Sequence, residues 1–229
     1  MLRELPVLLL IAFVLALVVK TFFVQAFFIP SGSMEQTLHG CTGCTGDRVL
    51  VNKVPYWFGE PEPGEIVVFK GPDTWTPEVS VAEPANWFSA ALLWLGRTVG
   101  VAPPSEDDFV KRVIATEGQT VQCCDAEGRV TVDDQPLDET YVHEDLPFTA
   151  GTLDCSSSPR STRCFPEIRV PTDNLLVLGD HRSQSADSVI GCRGATEGQE
   201  CARFVPLERV VGPVVLRFWP LADAGPLPE

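Results

Sequence analysis

Basic residues are scarce in this chain. Its 229 residues include 17 lysines and arginines against 31 aspartates and glutamates, which gives a formal net charge of −14. Nucleic acids and anionic lipid surfaces are recognised mainly by basic patches. The charge balance therefore argues against either as the main partner, and we predict no nucleic-acid partner.

Histidine is scarcer still, with three residues, His39, His143 and His181. A Ser-His-Asp hydrolase would have to draw its base from these three. His181 follows Asp180 directly, but adjacent residues on an extended strand point to opposite faces, which is a poor start for a hydrogen-bonded base and acid. Such a hydrolase remains an alternative interpretation.

An apolar run long enough to cross a membrane occurs only at the N-terminus. Leu5 to Val19 is unbroken, and after Lys20 the chain stays mostly apolar to Pro30. Fifteen helical residues cover about 22 Å of a hydrocarbon core of roughly 30 Å, so the helix must continue for about five more residues while Lys20 snorkels. We predict a transmembrane anchor over residues 1–24. A signal peptide cleaved after Ala26 is the alternative, although Lys20 interrupts it.

The eight cysteines form four local pairs. They are Cys41/Cys44, Cys123/Cys124, Cys155/Cys164 and Cys192/Cys201. An even number at short spacings is typical of disulfides in an oxidising compartment, so we predict an extracytoplasmic body with Cys155–Cys164 and Cys192–Cys201 bonded. The other four could instead bind zinc, although adjacent ligands are unusual; their pairing stays open.

The remaining sequence predicts a mainly β fold of antiparallel sheets. Short β-branched runs occur at 47–53, 64–70, 109–114, 174–178 and 214–219. We predict a catalytic β domain over 25–122 and 171–220, with an insertion at 71–108, a disulfide-stapled cap lobe at 123–170 and a tail at 221–229. Within the insertion, residues 86–96 could form a tryptophan-rich helix, too short to span a bilayer, that either touches the membrane interface or packs on the core.

The segment from Pro30 to Leu38 carries the chemistry. Between Ser31 and Ser33, Gly32 allows a tight turn that could aim a hydroxyl and an amide at one point. A serine nucleophile and its oxyanion donor need such an arrangement. If the chain before the turn is extended, Phe27 and Ile29 share a face with both serines.

These motifs, in this order, resemble the bacterial type I signal peptidases. The set comprises the N-terminal anchor, Pro30 to Met34 with Thr37-Leu38, the Gly64 to Phe69 strand, Lys111-Arg112, and Gly179-Asp180 through Asp187-Ser188. The resemblance covers residues 1–70, 109–121 and 171–220, and two stretches, 40–53 and 122–129, look actinobacterial. It implies a membrane-bound serine endopeptidase without metal or cofactor. Its expected partners are the lipid bilayer and the signal peptides of exported preproteins, which it would cut after small residues at the outer face.

The resemblance also implies site roles, residue by residue. Ser33 resembles the nucleophile, Lys111 the general base, Ser31 the second oxyanion donor and Ser185 the hydroxyl that orients the lysine. The positions lining the small-residue pockets are Phe27, Ile29, Met34, Leu38 and Val110. Supporting positions are Arg112 with Asp180, an ion pair, and Asp187, a structural acid.

Four positions or stretches depart from that family pattern. Gln36 replaces a proline, His181 an asparagine, residues 115–119 a Gly-Leu-Pro-Gly-Asp stretch, and Val189 the arginine that pairs with the acid at Asp187. The departures leave open the partner of Asp187 and the rigidity behind Lys111. A competing interpretation from another class is a membrane-anchored, disulfide-rich β module that binds without catalysis. The sequence predicts no oligomeric state.

Overall fold

The computed structural model describes residues 4–41, 44, 46–76, 85–98 and 107–227. Helix α1, Glu4–Phe22, is 19 residues long, and by length and composition it is the one helix in the described ranges that could cross a membrane. None of its side chains is buried. At 1.5 Å per residue it measures about 28 Å, close to a hydrocarbon core.

The body is built from antiparallel strands. In chain order they are β1 Val24–Phe28, β2 Arg48–Asn52, β3 Ile66–Lys70, β4 Asp108–Ala115, β5 Thr120–Cys123, β6 Val130–Val132, β7 Gln135–Pro136, β8 Phe165–Arg169, β9 Asn174–Leu178, β10 Val205–Pro206 and β11 Val210–Trp219. Seven form one sheet in the order β1-β2-β11-β3-β4-β9-β10, and four form a second in the order β7-β6-β5-β8. The predicted mainly β, antiparallel fold is therefore confirmed.

Strand β3 shows why the first sheet has two cores. It lies between β11 and β4, and its first four residues are buried. Because side chains alternate along a strand, Ile66 and Val68 pack into a cluster with Phe27, whereas Val67 and Phe69 pack into another on the opposite side. The first cluster lies beside the segment that follows β1, where the serines are.

The opposite cluster is held by aromatic rings. Phe69 stacks on Phe109 of β4 with ring centroids 5.7 Å apart, and Trp75 meets both edge-on at 5.1 and 5.3 Å. Such pairs add to the energy of simple area burial. They fix β3 against β4, the strand that carries Lys111.

Strands β6, β7 and β8 of the second sheet lie within residues 123–170, the predicted cap lobe, whereas β5 begins at Thr120 and lies almost entirely before that segment. The predicted disulfides Cys155–Cys164 and Cys192–Cys201 are both present. The other four cysteines pair as Cys41–Cys44 and Cys123–Cys124, so the four thiolates of the zinc interpretation are bonded to one another.

Two segments outside the strands bear on the predictions. Helix α2, Trp87–Thr98, covers the predicted 86–96 helix, and its Trp87 and Phe88 are 81 % and 66 % exposed. At the C-terminus, Gly225 pairs with Arg217 of β11 and Leu227 packs on the cluster that contains Ile66. Part of the predicted tail is therefore folded against the first sheet.

We expect the Cys155–Cys164 disulfide to stabilise the cap lobe mainly by restricting the unfolded chain. It closes a loop with a sequence separation of 9. Replacing both cysteines by serine should lower the free energy of unfolding by about 2–3 kcal/mol in the chain-entropy model. Urea unfolding of the unreduced full-length chain in detergent would measure this, and an unchanged midpoint would contradict it.

Candidate active site

The nucleophile candidate stands on a short turn after β1. Ile29 donates its N–H to the Asp47 carbonyl at 2.8 Å, Ser31 is extended with φ −127° and ψ 156°, and a 3₁₀ turn then runs over Gly32–Met34. This turn places Ser33 in the interior, 3 % exposed. The tight Ser-Gly-Ser turn expected from the sequence is present.

Lys111 meets Ser33 from the middle of the first sheet. It lies on β4, opposite Val67 of β3, and is fully buried. Its Nζ donates a hydrogen bond of 2.7 Å to Ser33 Oγ, and Ser31 Oγ lies 3.2 Å from the same oxygen. Three predicted site residues are thus brought to one point, although Ser33 and Lys111 lie 78 positions apart in the sequence.

Arg112 points away from Lys111, as adjacent strand residues must. Its Nε and Nη2 donate to the two carboxylate oxygens of Asp180 at 2.9 and 2.8 Å, a bidentate pair buried on both sides. Nη1 donates to the Gly64 carbonyl, and the Tyr141 ring lies 3.8 Å from the guanidinium carbon. Thr37 Oγ1 also donates to Asp180, at 2.5 Å, so the nucleophile segment is tied to the same carboxylate.

Tyr141 keeps its hydroxyl neutral beside these charges. Burial first, and then the nearby Glu139 carboxylate, raises the pKa of Tyr141 well above its usual range. The neutral ring can therefore cover the Arg112 guanidinium as a cation–π partner at any physiological pH. Nothing in the sequence pattern had singled out Tyr141.

Asp187 finds a partner that the sequence analysis missed. The carboxylate is completely buried, and Arg193 Nη2 lies 3.1 and 3.4 Å from its two oxygens. The backbone N–H groups of Gly179 and Val189 donate to it at 3.3 Å. Arg193 thus supplies the cation that is absent at Val189. The sequence did contain a signal for this pair. A buried carboxylate requires a cation, and Arg193 lies four residues beyond Val189, the position where the family pattern has its arginine.

A glycine at position 179 allows the loop after β9 to approach Ser33 closely. A Cβ there would lie 2.5 Å from the Ser33 carbonyl oxygen and 2.3 Å from Ser185 Oγ. Ser185 itself is buried, and its Oγ has no hydrogen-bond partner among the described residues. The predicted role of Ser185 in orienting Lys111 therefore stays a prediction.

The predicted pocket residues lie together in one apolar cluster. Phe27, Ile29, Met34 and Leu38 are at most 5 % exposed, and Val110, partly buried, packs against them. Met34 belongs to the same 3₁₀ turn as Ser33. The extended chain from Phe27 in β1 to Ile29 just beyond its end therefore places both side chains in this cluster.

His181 is held beside the turn but not as a partner of the serine hydroxyl. Its backbone N–H donates to the Ser33 carbonyl at 3.1 Å, its Nδ1 lies 3.1 Å from the Gly32 carbonyl, and its Nε2 lies 3.2 Å from Glu144. Both ring nitrogens are therefore directed elsewhere. This geometry disfavours the Ser-His-Asp alternative.

The next residue, Arg182, forms a buried ion pair with Glu139. Burial opposes the charge of the guanidinium, but Glu139 outweighs burial and raises the pKa of Arg182. The Nε of Arg182 also donates to the Gly179 carbonyl at 3.0 Å. The loop after β9 is thus fixed at Gly179 by both Arg182 and Asp187.

Comparison with known proteins assigns this chain to a class of peptidase. The family model for signal peptidase, peptidase S26, matches residues 2–219. The chain belongs to that family.

The relatives at high coverage are signal peptidases. A "Signal peptidase I" of Mycobacterium tuberculosis (strain CDC 1551 / Oshkosh) is 41 % identical over 98 % of this chain and 74 % of its own length. A "Probable signal peptidase I" of Mycobacterium leprae (strain TN) is 40 % identical over 97 % of this chain and 78 % of its own. A crystal structure of a signal peptidase I from Enterococcus faecalis V583 is 22 % identical, with a TM-score of 0.35, over 69 % of this chain and 98 % of that chain. The chain is accordingly an enzyme, a signal peptidase with actinobacterial relatives, and the non-catalytic binding module is set aside.

Arg193 provides a test of the loop's electrostatics. Changing Arg193 to methionine leaves the buried Asp187 carboxylate without its cation, and breaking a buried pair in this way costs roughly 3–5 kcal/mol. We expect a loss of that order in denaturant unfolding. The Arg129→Met variant removes an exposed arginine paired with Asp125 and should leave stability nearly unchanged.

The double variant Asp187→Asn with Arg193→Met separates charge from packing. It removes both members of the pair, so part of the lost stability should return. If Arg193→Met alone is as stable as Arg129→Met, the Asp187–Arg193 pair does not hold the loop.

Proposed function

We propose that this signal peptidase cleaves preproteins with a serine–lysine dyad in which Ser33 is the nucleophile and Lys111 the general base. One observation carries the proposal, the 2.7 Å hydrogen bond between Lys111 Nζ and Ser33 Oγ in the interior of the protein. A base within hydrogen-bond reach of the hydroxyl is the first requirement for activating a serine.

The amine must be neutral to accept a proton. An ordinary lysine is almost fully protonated at neutral pH, but burial disfavours the ammonium form. Lys111 is fully buried, and the nearby Asp180 carboxylate is occupied by both nitrogens of Arg112. The negative charge of that carboxylate is therefore paired with the Arg112 guanidinium.

The reaction then follows acyl-transfer chemistry. Ser33 Oγ attacks the scissile carbonyl carbon as its proton passes to the Lys111 amine, and the Ser31 hydroxyl donates to the oxyanion. The resulting ammonium gives the proton to the leaving amine, which breaks the peptide bond and leaves an acyl-Ser33 ester. Water, deprotonated by Lys111, attacks the ester and returns the free serine.

The apolar cluster beside Ser33 accounts for substrate choice. Shallow pockets bordered by Ile29, Met34 and Val110 would admit small side chains before the cut and exclude larger ones. Signal peptides present small residues in an Ala-x-Ala pattern there. Ser185 would assist by holding the lysine amine once substrate closes the site.

We propose that α1 anchors the enzyme in the cell membrane with the β body on the outer side. The helix is long and apolar enough, and none of its side chains is buried against the body. The four disulfides support an oxidising location. The exposed Trp87, Phe88 and Trp94 of α2 would rest at the lipid–water interface, where such rings are favoured.

The dyad is tested by Lys111→Arg. A guanidinium keeps the positive charge but stays protonated at any working pH, so it cannot act as the base. We expect cleavage of an Ala-x-Ala peptide to fall by roughly 10²–10⁴-fold, the contribution of a general base. Wild-type cleavage should rise with pH, because deprotonation creates the active amine. Lys70→Arg, at an exposed position at the end of β3, is the matched control and should retain activity.

Labelling distinguishes loss of the base from loss of the nucleophile. A serine-directed acylating inhibitor should modify the wild type and not Ser33→Ala. Substantial cleavage by Lys111→Arg would remove Lys111 as the base.

The pocket is tested by Ile29→Ala. The change enlarges the space beside Ser33, so peptides with larger residues before the cut should be accepted, at a reduced rate for the small-residue peptide. Cleavage-site profiling of a peptide library measures this. Ile168→Ala makes the same change at a fully buried position of β8 in the second sheet and should cost comparable stability without altering the profile. An unchanged profile in Ile29→Ala would show that Ile29 does not border the substrate.

A further inference from the structure

Three side chains outside the dyad converge on the back of the nucleophile turn. His143, Glu144 and His181 each offer one ligand atom, and these atoms all lie within 4.8 Å of one another. The two imidazole rings meet edge-on with centroids 4.9 Å apart. Two histidines and a carboxylate are a common ligand set for zinc.

The hydrogen bonds of His181 present a problem that a cation would solve. Its Nδ1 faces the Gly32 carbonyl at 3.1 Å, and its Nε2 faces a Glu144 carboxylate oxygen at 3.2 Å. Both partners are acceptors, but a neutral imidazole has only one N–H to donate. Either a second proton or a metal ion on the Nε2 side is needed to satisfy both contacts.

The same geometry prepares Nε2 as a ligand. The Gly32 carbonyl can only accept, so Nδ1 donates to it, and Nε2 faces Glu144. Metal-bound histidines usually donate their other ring N–H to a carbonyl or carboxylate, which fixes the tautomer and the ring orientation. His181 already has this support from the backbone.

We propose that His143, Glu144 and His181 form a zinc site that braces the nucleophile turn. Ligand atoms of a tetrahedral zinc ion lie about 3.3–3.5 Å apart. His181 Nε2 lies 3.2 Å from one carboxylate oxygen of Glu144, and His143 Nε2 lies 3.8 Å from the other. Small rotations of partly exposed side chains would close the set, with water as the fourth ligand.

Access and ligand type favour zinc over the hard cations. The side chains of His143 and Glu144 are 29 % and 63 % exposed, so an ion can enter from solvent. Imidazole nitrogens suit zinc and similar transition metals, whereas magnesium and calcium take oxygen ligands. The neighbouring Arg182 is paired with Glu139, which offsets its repulsion of a cation.

Zinc would act on the dyad through the backbone of the turn. His181 contacts the Gly32 carbonyl through its ring and the Ser33 carbonyl through its N–H, and Glu35 N–H also donates to Gly32 at 3.2 Å. Fixing the ring would hold these carbonyls in place. His181 is therefore a positioning residue for Ser33, and the zinc site is independent of the catalytic roles proposed above.

The test is zinc binding by the unreduced, metal-free full-length chain in detergent, followed by equilibrium dialysis. We expect one zinc ion per chain, with affinity at least roughly tenfold weaker in His143→Gln and in Glu144→Gln. At a hundredfold excess over its Kd, zinc should raise the melting temperature of the wild type by roughly 5–10 °C and that of the variants less. Both variants alter partly exposed side chains, so without zinc they should melt like the wild type.

His39→Gln is the matched control. His39 lies beside Cys41 and Cys44, the rival cluster, whose sulfurs are bonded to each other. It should bind zinc like the wild type. Zinc should also slow amide hydrogen exchange at Glu35 in the wild type but not in His143→Gln. No bound zinc, or binding lost in His39→Gln and kept in His143→Gln, would overturn the proposal. Neither readout depends on cleavage, so the result is independent of the serine–lysine mechanism.

Discussion

The bidentate pair between Arg112 and Asp180 is the constraint on which the site depends. Taking both charges out of water costs several kcal/mol for each ion, and only good geometry with further hydrogen bonds offsets that cost. Here Thr37 and the Gly64 carbonyl complete the set. Thr37 belongs to the nucleophile segment, Arg112 to the strand of the lysine, and Asp180 to the loop after β9. Because a fork-shaped bond tolerates little displacement, these three distant segments are held in one arrangement.

The Arg112–Asp180 pair is one of three ion pairs that determine the distribution of charge around Ser33 and Lys111. Each buried acid nearby has its own arginine: Asp180 has Arg112, Asp187 has Arg193 and Glu139 has Arg182. The negative charge of these three carboxylates is therefore paired with guanidinium groups.

The periodicity of apolar residues along strands predicted much of this arrangement. Turns and long-range contacts account for what that periodicity missed. The β-branched run at Ile66–Lys70 and the alternation of Phe27 with Ile29 identified strands and faces, because burial on a pleated sheet has a fixed period. The pairing of Arg193 with Asp187 depends on the 3₁₀ turn Ile190–Cys192 between them, which strand periodicity does not encode. The contact between His143 and His181 joins segments 38 positions apart, which are also linked by backbone hydrogen bonds that no motif describes. Ser185 shows the converse, since the motif places it in the site, whereas no residue in the described part of the chain hydrogen-bonds its hydroxyl.

The junction between α1 and β1 contains a single residue, Phe23. Its N–H donates to the Val19 carbonyl of the helix, and its own carbonyl accepts from Lys53 N–H beyond β2, both at 2.8 Å. The helix and the sheet are thus joined by a short, hydrogen-bonded connection and not by a flexible linker. If α1 spans the bilayer, its tilt determines the orientation of the sheet. Ser33, 11 residues past the end of the helix, is then held at a fixed distance above the lipid. The enzyme would then measure where a substrate is cut by distance from the membrane as well as by the side chains around the bond.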